Sequence, residues 1–200
     1  MVLKNPNKYT IGRTIVYFVR HGDRIHVPNS PDIGLQKVGP GLSALGKKQA
    51  KAIAKNMKKI KAEIDVLYSS NMKRAIETAN IIGKAVGKKP KVVDGLSEFN
   101  NIVWSYKLYH HHFWKHFIKH RKGVSALNKI LRDNKGKVIV IVAHGNMIRG
   151  LVGNKFGLSL SQTGKLGYHN CHVSLVSFIG TKLDYIDYFN SNGLIRGFSG

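Results

Sequence analysis

Residues 137–143 read KVIVIVA, and His144 and Gly145 follow at once. An unbroken apolar run rich in β-branched side chains suits a parallel strand buried on both faces. It is far too short for a membrane helix, which needs about 20 apolar residues. A strand covered on both sides needs helices above and below its sheet, so this run predicts an α/β fold.

The rest of the chain supplies the other layers. TIVYFV at 14–19 reads as a second buried strand, and residues 64–68 and 91–93 as shorter ones. Ser43 is placed to cap a helix through about Met57, with Ala50, Ile53, Ala54 and Met57 on one face. Asn71 is placed to cap a helix carrying Ala75, Ile76, Ala79, Ile82 and Val86, stopped near Gly87. Residues 104–131 read as mostly helical with a break near Gly123, and 146–156 as a further helix. Two late strands, 172–179 and 183–189, meet at Gly180-Thr181 as a hairpin. The Gly- and Pro-bearing stretch 22–41 reads as loop. The expected architecture is a three-layer α/β/α sandwich with a mostly parallel central sheet. It forms one domain over residues 1–200, a length that suits a single core.

Charge narrows the partners. Lys and Arg number 33 against 10 Asp and Glu, a formal net charge of +23. Such a chain attracts polyanions: nucleic acid, acidic lipid or phosphorylated substrates. Lys47, Lys48, Lys51, Lys55, Lys58, Lys59 and Lys61 read equally well as a solvated basic helix face. The single cysteine, Cys171, excludes an internal disulfide framework and a multi-cysteine zinc site, and it reads as a small buried hydrophobe. Residues 1–10 are polar and lysine-bearing, unlike a secretory signal, so a cytoplasmic protein is expected.

In open parallel sheets, ligands bind beyond the carboxyl ends of the strands. Two strand ends carry the same signal: the first runs into Arg20-His21-Gly22, and the central one into His144-Gly145-Asn146. Tyr68-Ser69-Ser70 leads into a helix whose first turn holds Arg74, and Leu96-Ser97-Glu98 supplies a carboxylate. Gathered at one sheet edge, two arginines and two imidazoles can surround a phosphoryl dianion. The Arg fork bonds phosphate oxygens bidentately. A neutral imidazole can attack phosphorus, and a nearby carboxylic acid can protonate the leaving oxygen and then activate water.

Five segments in order carry a family resemblance: VYFVRHGDR from 16, GLSALGKKQA from 41, YSSNMKRAIETA from 68, GLSEF from 95 and VIVAHGNMIRGL from 140. NCHVSLVSF near the end adds a sixth. Together they resemble the histidine phosphatase superfamily, in its branch of phosphoglycerate-mutase-like phosphatases, over roughly residues 14–189. That resemblance implies a phosphoglycerate-mutase-like fold and a phosphomonoester hydrolase that needs no metal or other cofactor. It implies His21 as the phosphorylated nucleophile, Arg20, Arg74 and His144 around the phosphate, and Glu98 as proton donor and then base. Arg24 extends the first motif and implies a further phosphate contact, Gly145 a place at the substrate, and Asp23 a second acid beside the nucleophile. A helical, cap-like segment at about 99–134 would cover the pocket.

Within that family, hydrolysis is expected over mutase transfer. Arg24 and Val27 replace the small hydroxyl residue and the Asn of the glycolytic mutases, and no adjacent Arg-Arg pair follows Glu98. Two other readings stay open: phosphoglycerate mutase-type transfer, and an idle family member that binds a polyanion or a protein partner. His112, His116 and His120 are four residues apart, a helical spacing that can bind metal, but no acid or thiol accompanies them. An amphipathic helix packing Phe113, Trp114 and Phe117 explains the same segment.

Overall fold

A computed structural model of the chain describes residues 12–26, 39–99 and 113–192. Six strands form one sheet in the order β3-β2-β4-β1-β5-β6. They are β1 (Arg13–Arg20), β2 (Val66–Ser70), β3 (Lys91–Val93), β4 (Val138–Ala143), β5 (Val173–Ile179) and β6 (Lys182–Ser191). The first four are mutually parallel, with β4 seated between β1 and β2. β5 runs antiparallel to β1, and β6 antiparallel to β5. The KVIVIVA run is thus a central strand, as its composition demands.

Period-two alternation along β1 splits its side chains between two cores. Ile15, Tyr17 and Val19 join the cluster under α1 (Ala44–Met57) and α2 (Lys73–Val86). Val16 and Phe18 join the cluster under α3 (Phe113–Asp133) and α4 (Gly145–Lys155). A fifth, short helix, α5 (Leu160–Gly164), follows α4. Each fully buried Val, Leu, Ile or Phe in these layers contributes about 1.5–3 kcal/mol against exposure. Helices cover both faces, which is the sandwich expected.

The local signals hold with two corrections. Ser43 caps α1 by accepting from Gly46 N at 3.0 Å, and Gly87 ends α2 in the left-handed region at φ 74°. Asn71 does not cap α2. Its Oδ1 instead accepts the Ser97 hydroxyl at 2.6 Å, and Met72, in extended geometry, precedes the helix. Nor does Gly123 break α3, which is continuous to Asp133. A Cβ on Gly123 would lie 2.5 Å from Met147 Sδ, so this glycine admits α4 close against α3. The start of the cap-like segment, with Trp104 and His110 to His112, lies outside the described residues. All seven lysines between 47 and 61 are exposed. Among the described residues, no helix is long and apolar enough to cross a membrane.

Candidate active site

The four parallel strands deliver their carboxyl ends to one edge of the sheet. β1 ends in Arg20 and passes to His21, and β4 passes to His144. β2 leads into α2 and Arg74, and β3 leads through one 3-10 turn to Glu98. Residues up to 124 positions apart in sequence therefore surround one point.

His21 is buried and held at both ring nitrogens. Nδ1 lies 2.6 Å from the Gly22 carbonyl, and Nε2 lies 3.0 Å from Arg74 Nε. A carbonyl only accepts and an arginine Nε–H only donates. The proton is therefore on Nδ1, and the Nε2 lone pair faces Arg74. Burial, with the Arg74 guanidinium beside it, pushes the His21 pKa well below the usual histidine range, so the ring is neutral.

His144 stands across from it, with ring centroids 5.0 Å apart. Its Nε2 shares a 2.8 Å hydrogen bond with Ser70 Oγ. Burial and the cationic surroundings hold His144 neutral as well. Its Nδ1 is buried without a partner, and so are Arg20 Nε and Arg74 Nη1. Buried polar atoms left unpaired are costly in a folded protein. Here three of them belong to residues gathered around His21, and an anion seated there would satisfy them. Arg20 is braced from behind, where Nη1 donates to the Tyr168 carbonyl. Arg74 sits among other cations, and burial pushes its pKa down to about 10.

Glu98 is 9% exposed. Burial raises its carboxyl above the usual range, while Arg74 and Arg20 pull it back. The backbone N–H of Phe99 donates to Oε1 at 3.2 Å. A carboxyl with a raised pKa is suited to hold and release a proton.

The remaining predicted residues fall into two groups. Arg24 bridges to Leu42 at the rim, and its charge reaches His21 and Arg74. Gly145 opens α4, and a Cβ there would meet Arg20 Nε at 3.3 Å, so the glycine lets that guanidinium lie against the helix start. α4 carries no acid in its first turn, and the positive end of its dipole faces the same edge. Asp23, by contrast, is engaged elsewhere. Its carboxylate accepts the Ser43 hydroxyl at 2.5 Å and steadies the start of α1. His120 turns into the seam between α3 and α4, where its Nε2 lies 3.2 Å from the Gly150 carbonyl. The side chains of His112 and His116 lie outside the described residues.

Sequence reading missed several supports. Thr78 Oγ1 accepts from Gly22 N at 3.1 Å and donates to the Arg74 carbonyl at 2.8 Å, tying the His21 turn to α2. Its place in the ETA run one turn after Arg74 was the available signal. Ser70, Tyr168, Lys119 and Arg149 join the surroundings of the site from three further segments. Ser70 and Arg149 lie inside the YSSNMKRAIETA and VIVAHGNMIRGL segments without a role read for them there, and nothing local marks Tyr168 or Lys119.

The matched family model, the histidine phosphatase superfamily (branch 1), covers residues 16–116 and 117–191. The chain belongs to that superfamily and is an enzyme of its class. It is 27% identical over 180 residues to phosphoserine phosphatase 1 of Hydrogenobacter thermophilus, covering 79% of this chain and 83% of that protein. The fold is similar to that of a phosphoserine phosphatase from Entamoeba histolytica solved with 3-phosphoglyceric acid. That likeness has a TM-score of 0.66 and 20% identity, over 89% of this chain and 97% of the other. It is also similar to the Bacillus stearothermophilus protein YhfR, with a TM-score of 0.73 and 20% identity over the same shares.

Proposed function

We propose that the chain hydrolyses a small, acidic phosphomonoester through a covalent phosphohistidine at His21. The observation that carries this reading is the His21 tautomer: Nδ1–H fixed on the Gly22 carbonyl and Nε2 left with its lone pair. A neutral, oriented imidazole is the form that can attack phosphorus.

The steps follow from the geometry. Substrate phosphate draws Arg74 Nε off His21 Nε2 and takes up the unpaired Arg20, Arg74 and His144 donors. The Nε2 lone pair forms the bond to phosphorus as the P–O ester bond breaks. The Glu98 carboxyl gives its proton to the leaving oxygen and becomes a carboxylate. That carboxylate then removes a proton from water, the new oxygen bonds to phosphorus, and the N–P bond breaks. Inorganic phosphate leaves, and His21 and Glu98 are restored. Donors already in place when charge shifts onto the equatorial oxygens lower the barrier without reorganisation.

An acidic leaving group is supported by the surplus of cations around the phosphate residues. Lys119 and Arg149 add their charge near Glu98 and His144. Phosphoserine and 3-phosphoglyceric acid, in the names of the similar proteins, are phosphomonoesters of this acidic kind.

The test is phosphate release from phosphoserine, phosphoglycerates, sugar phosphates, nucleotides and an aryl phosphate, with chelator present. Wild type should release phosphate and His21→Ala should not. Rapid acid-free quenching should trap a phosphorylated His21. Turnover that survives in His21→Ala, or that stops with chelator, would overturn the proposal. Isomerisation of phosphoglycerates without phosphate release would favour the mutase reading instead.

A further inference from the structure

A second concavity lies away from the catalytic edge. It is a cleft of about 560 Å³ between α3 and the turn joining α4 to α5, a volume within the range of small-molecule sites. None of Arg20, His21, Arg74, Glu98 or His144 lines it. One stripe of α3 forms its long wall, spaced three and four residues apart on a single helix face.

Apolar side chains are concentrated in one half of the cleft. Towards the start of α3, Phe117 and Val124 line it together with His120 and Arg121, and Leu158 and Leu160 are among the residues of the α4–α5 side. Towards the end of α3, Asn128 and Arg132 line it, and Asn154 lies on the opposite wall. Lys155 does not line the cleft but stands behind this half, donating to the lining Asn128 Oδ1 and to the Thr181 carbonyl at 2.6 Å. No carboxylate lines the cleft. Among the described residues, neither Arg121 nor Arg132 has a carboxylate within ion-pair distance. Burial and the nearby Arg132 both lower the Lys155 pKa, so two cations are held together with only neutral acceptors on the lysine. A polar, acid-free end of this kind gains most from a ligand anion, and the arginine fork favours phosphate oxygens.

We infer that this cleft binds an organic phosphate, its anionic group at Arg132 with the Lys155 charge beside it, and its planar or apolar body against Val124, Leu158 and Leu160. The site is separate from the catalytic pocket and does not depend on the proposed hydrolysis. His120 stands between the two, lining the cleft and packing against Phe99 with ring centroids 5.6 Å apart.

The experiment is calorimetric titration of the His21→Ala protein, which should not consume the ligand, with AMP, ATP, adenosine and inorganic pyrophosphate. The nucleotides should bind, ATP more tightly than AMP, with adenosine and pyrophosphate each at least tenfold weaker. Arg132→Glu should weaken ATP at least tenfold, and Leu158→Asp, at the other end, should weaken it severalfold. Both positions are solvent-accessible, and circular dichroism checks that each variant is folded. Arg74→Ala in the same background should leave ATP binding unchanged. Binding that needs Arg74 but not Arg132 would place the nucleotide in the catalytic pocket and overturn the assignment. So would pyrophosphate binding as tight as ATP, or no binding of any nucleotide at millimolar concentration.

Discussion

At the residue scale, the proposed reaction rests on opposed pKa shifts. Burial and Arg74 keep His21 unprotonated, and burial keeps the Glu98 carboxyl protonated further up the pH scale than usual. In the proposed reaction, nucleophile and acid are therefore ready in the same pH window. For kcat/KM the signs are definite. The rate rises with pH as His21 loses its proton, well below the usual histidine value. It falls again as pH rises through the elevated Glu98 pKa, because the acid is then ionised. Glu98→Gln should remove the alkaline limb for an alkyl phosphomonoester. The same variant should slow alkyl esters by about 10²–10⁴-fold and aryl phosphates far less, since a phenolate leaves without much protonation. Equal losses on both substrates would remove Glu98 from the acid's role, and a pH profile on each substrate reads both effects.

At the scale of elements, the site depends on how closely α1 meets the turn after β1. A Cβ on Gly46 would lie 1.9 Å from the Asp23 carbonyl oxygen, and one on Gly22 would lie 2.5 Å from the Gly46 carbonyl oxygen. Both obstacles are backbone, so no rotamer change relieves them. Asp23 N donates to Gln49 Oε1 at 2.8 Å, and Asp23 accepts from Ser43, so the turn is stitched to the helix as well as packed on it. Gly46→Ala should cost about 1–3 kcal/mol of stability through overpacking and lower kcat by shifting His21. Lys48→Ala, on the exposed face of the same helix, should change neither. Thermal melts and steady-state kinetics on the two variants test this directly. A silent Gly46→Ala would show that the helix can slide without moving His21.

For the whole molecule, the consequence of burying two neutral histidines is acid sensitivity. His21 and His144 both have folded pKa values depressed below their unfolded value of about 6.5. Between the two values the unfolded chain binds more protons, so stability is fully present above about pH 6.5 and falls as pH drops towards the folded values. Glu98 acts in the opposite sense, with its raised pKa favouring the fold below its unfolded value and less so as pH rises. With His120 depressed by burial as well, three histidines oppose one glutamate, and the net effect is lower stability as pH drops below about 6.5. Urea denaturation at pH 5.5 and 6.5 should show the lower stability at 5.5, and His144→Gln should flatten the difference. A free energy independent of pH over that interval would mean that these rings are not held neutral by the fold.

Much of this was legible in the residues themselves. Burial on both faces followed from KVIVIVA alone, because six consecutive apolar residues leave no face for water. The strand ends carried the chemistry in plain view: Arg20-His21-Gly22, His144-Gly145 and the Arg74 turn combine reactive side chains with the residues that bend a backbone. Their order along the chain was enough to mark the family. Asn71 and Gly123 show the limit. Each carries a local signal, a cap and a break, that a partner distant in sequence redirects, Ser97 in one case and Met147 in the other. The place of Ser70 at a strand end did not reveal that it bonds His144, and the Tyr168 carbonyl behind Arg20 had no local signal at all. Nor did the cleft between α3 and α4, which exists only because two helices pack on one face of the sheet. Residue types and spacings determine which elements form and what each can do. Which proton sits on which nitrogen, and which charge meets which, depends on contacts between residues up to 171 positions apart, and these only the folded chain decides.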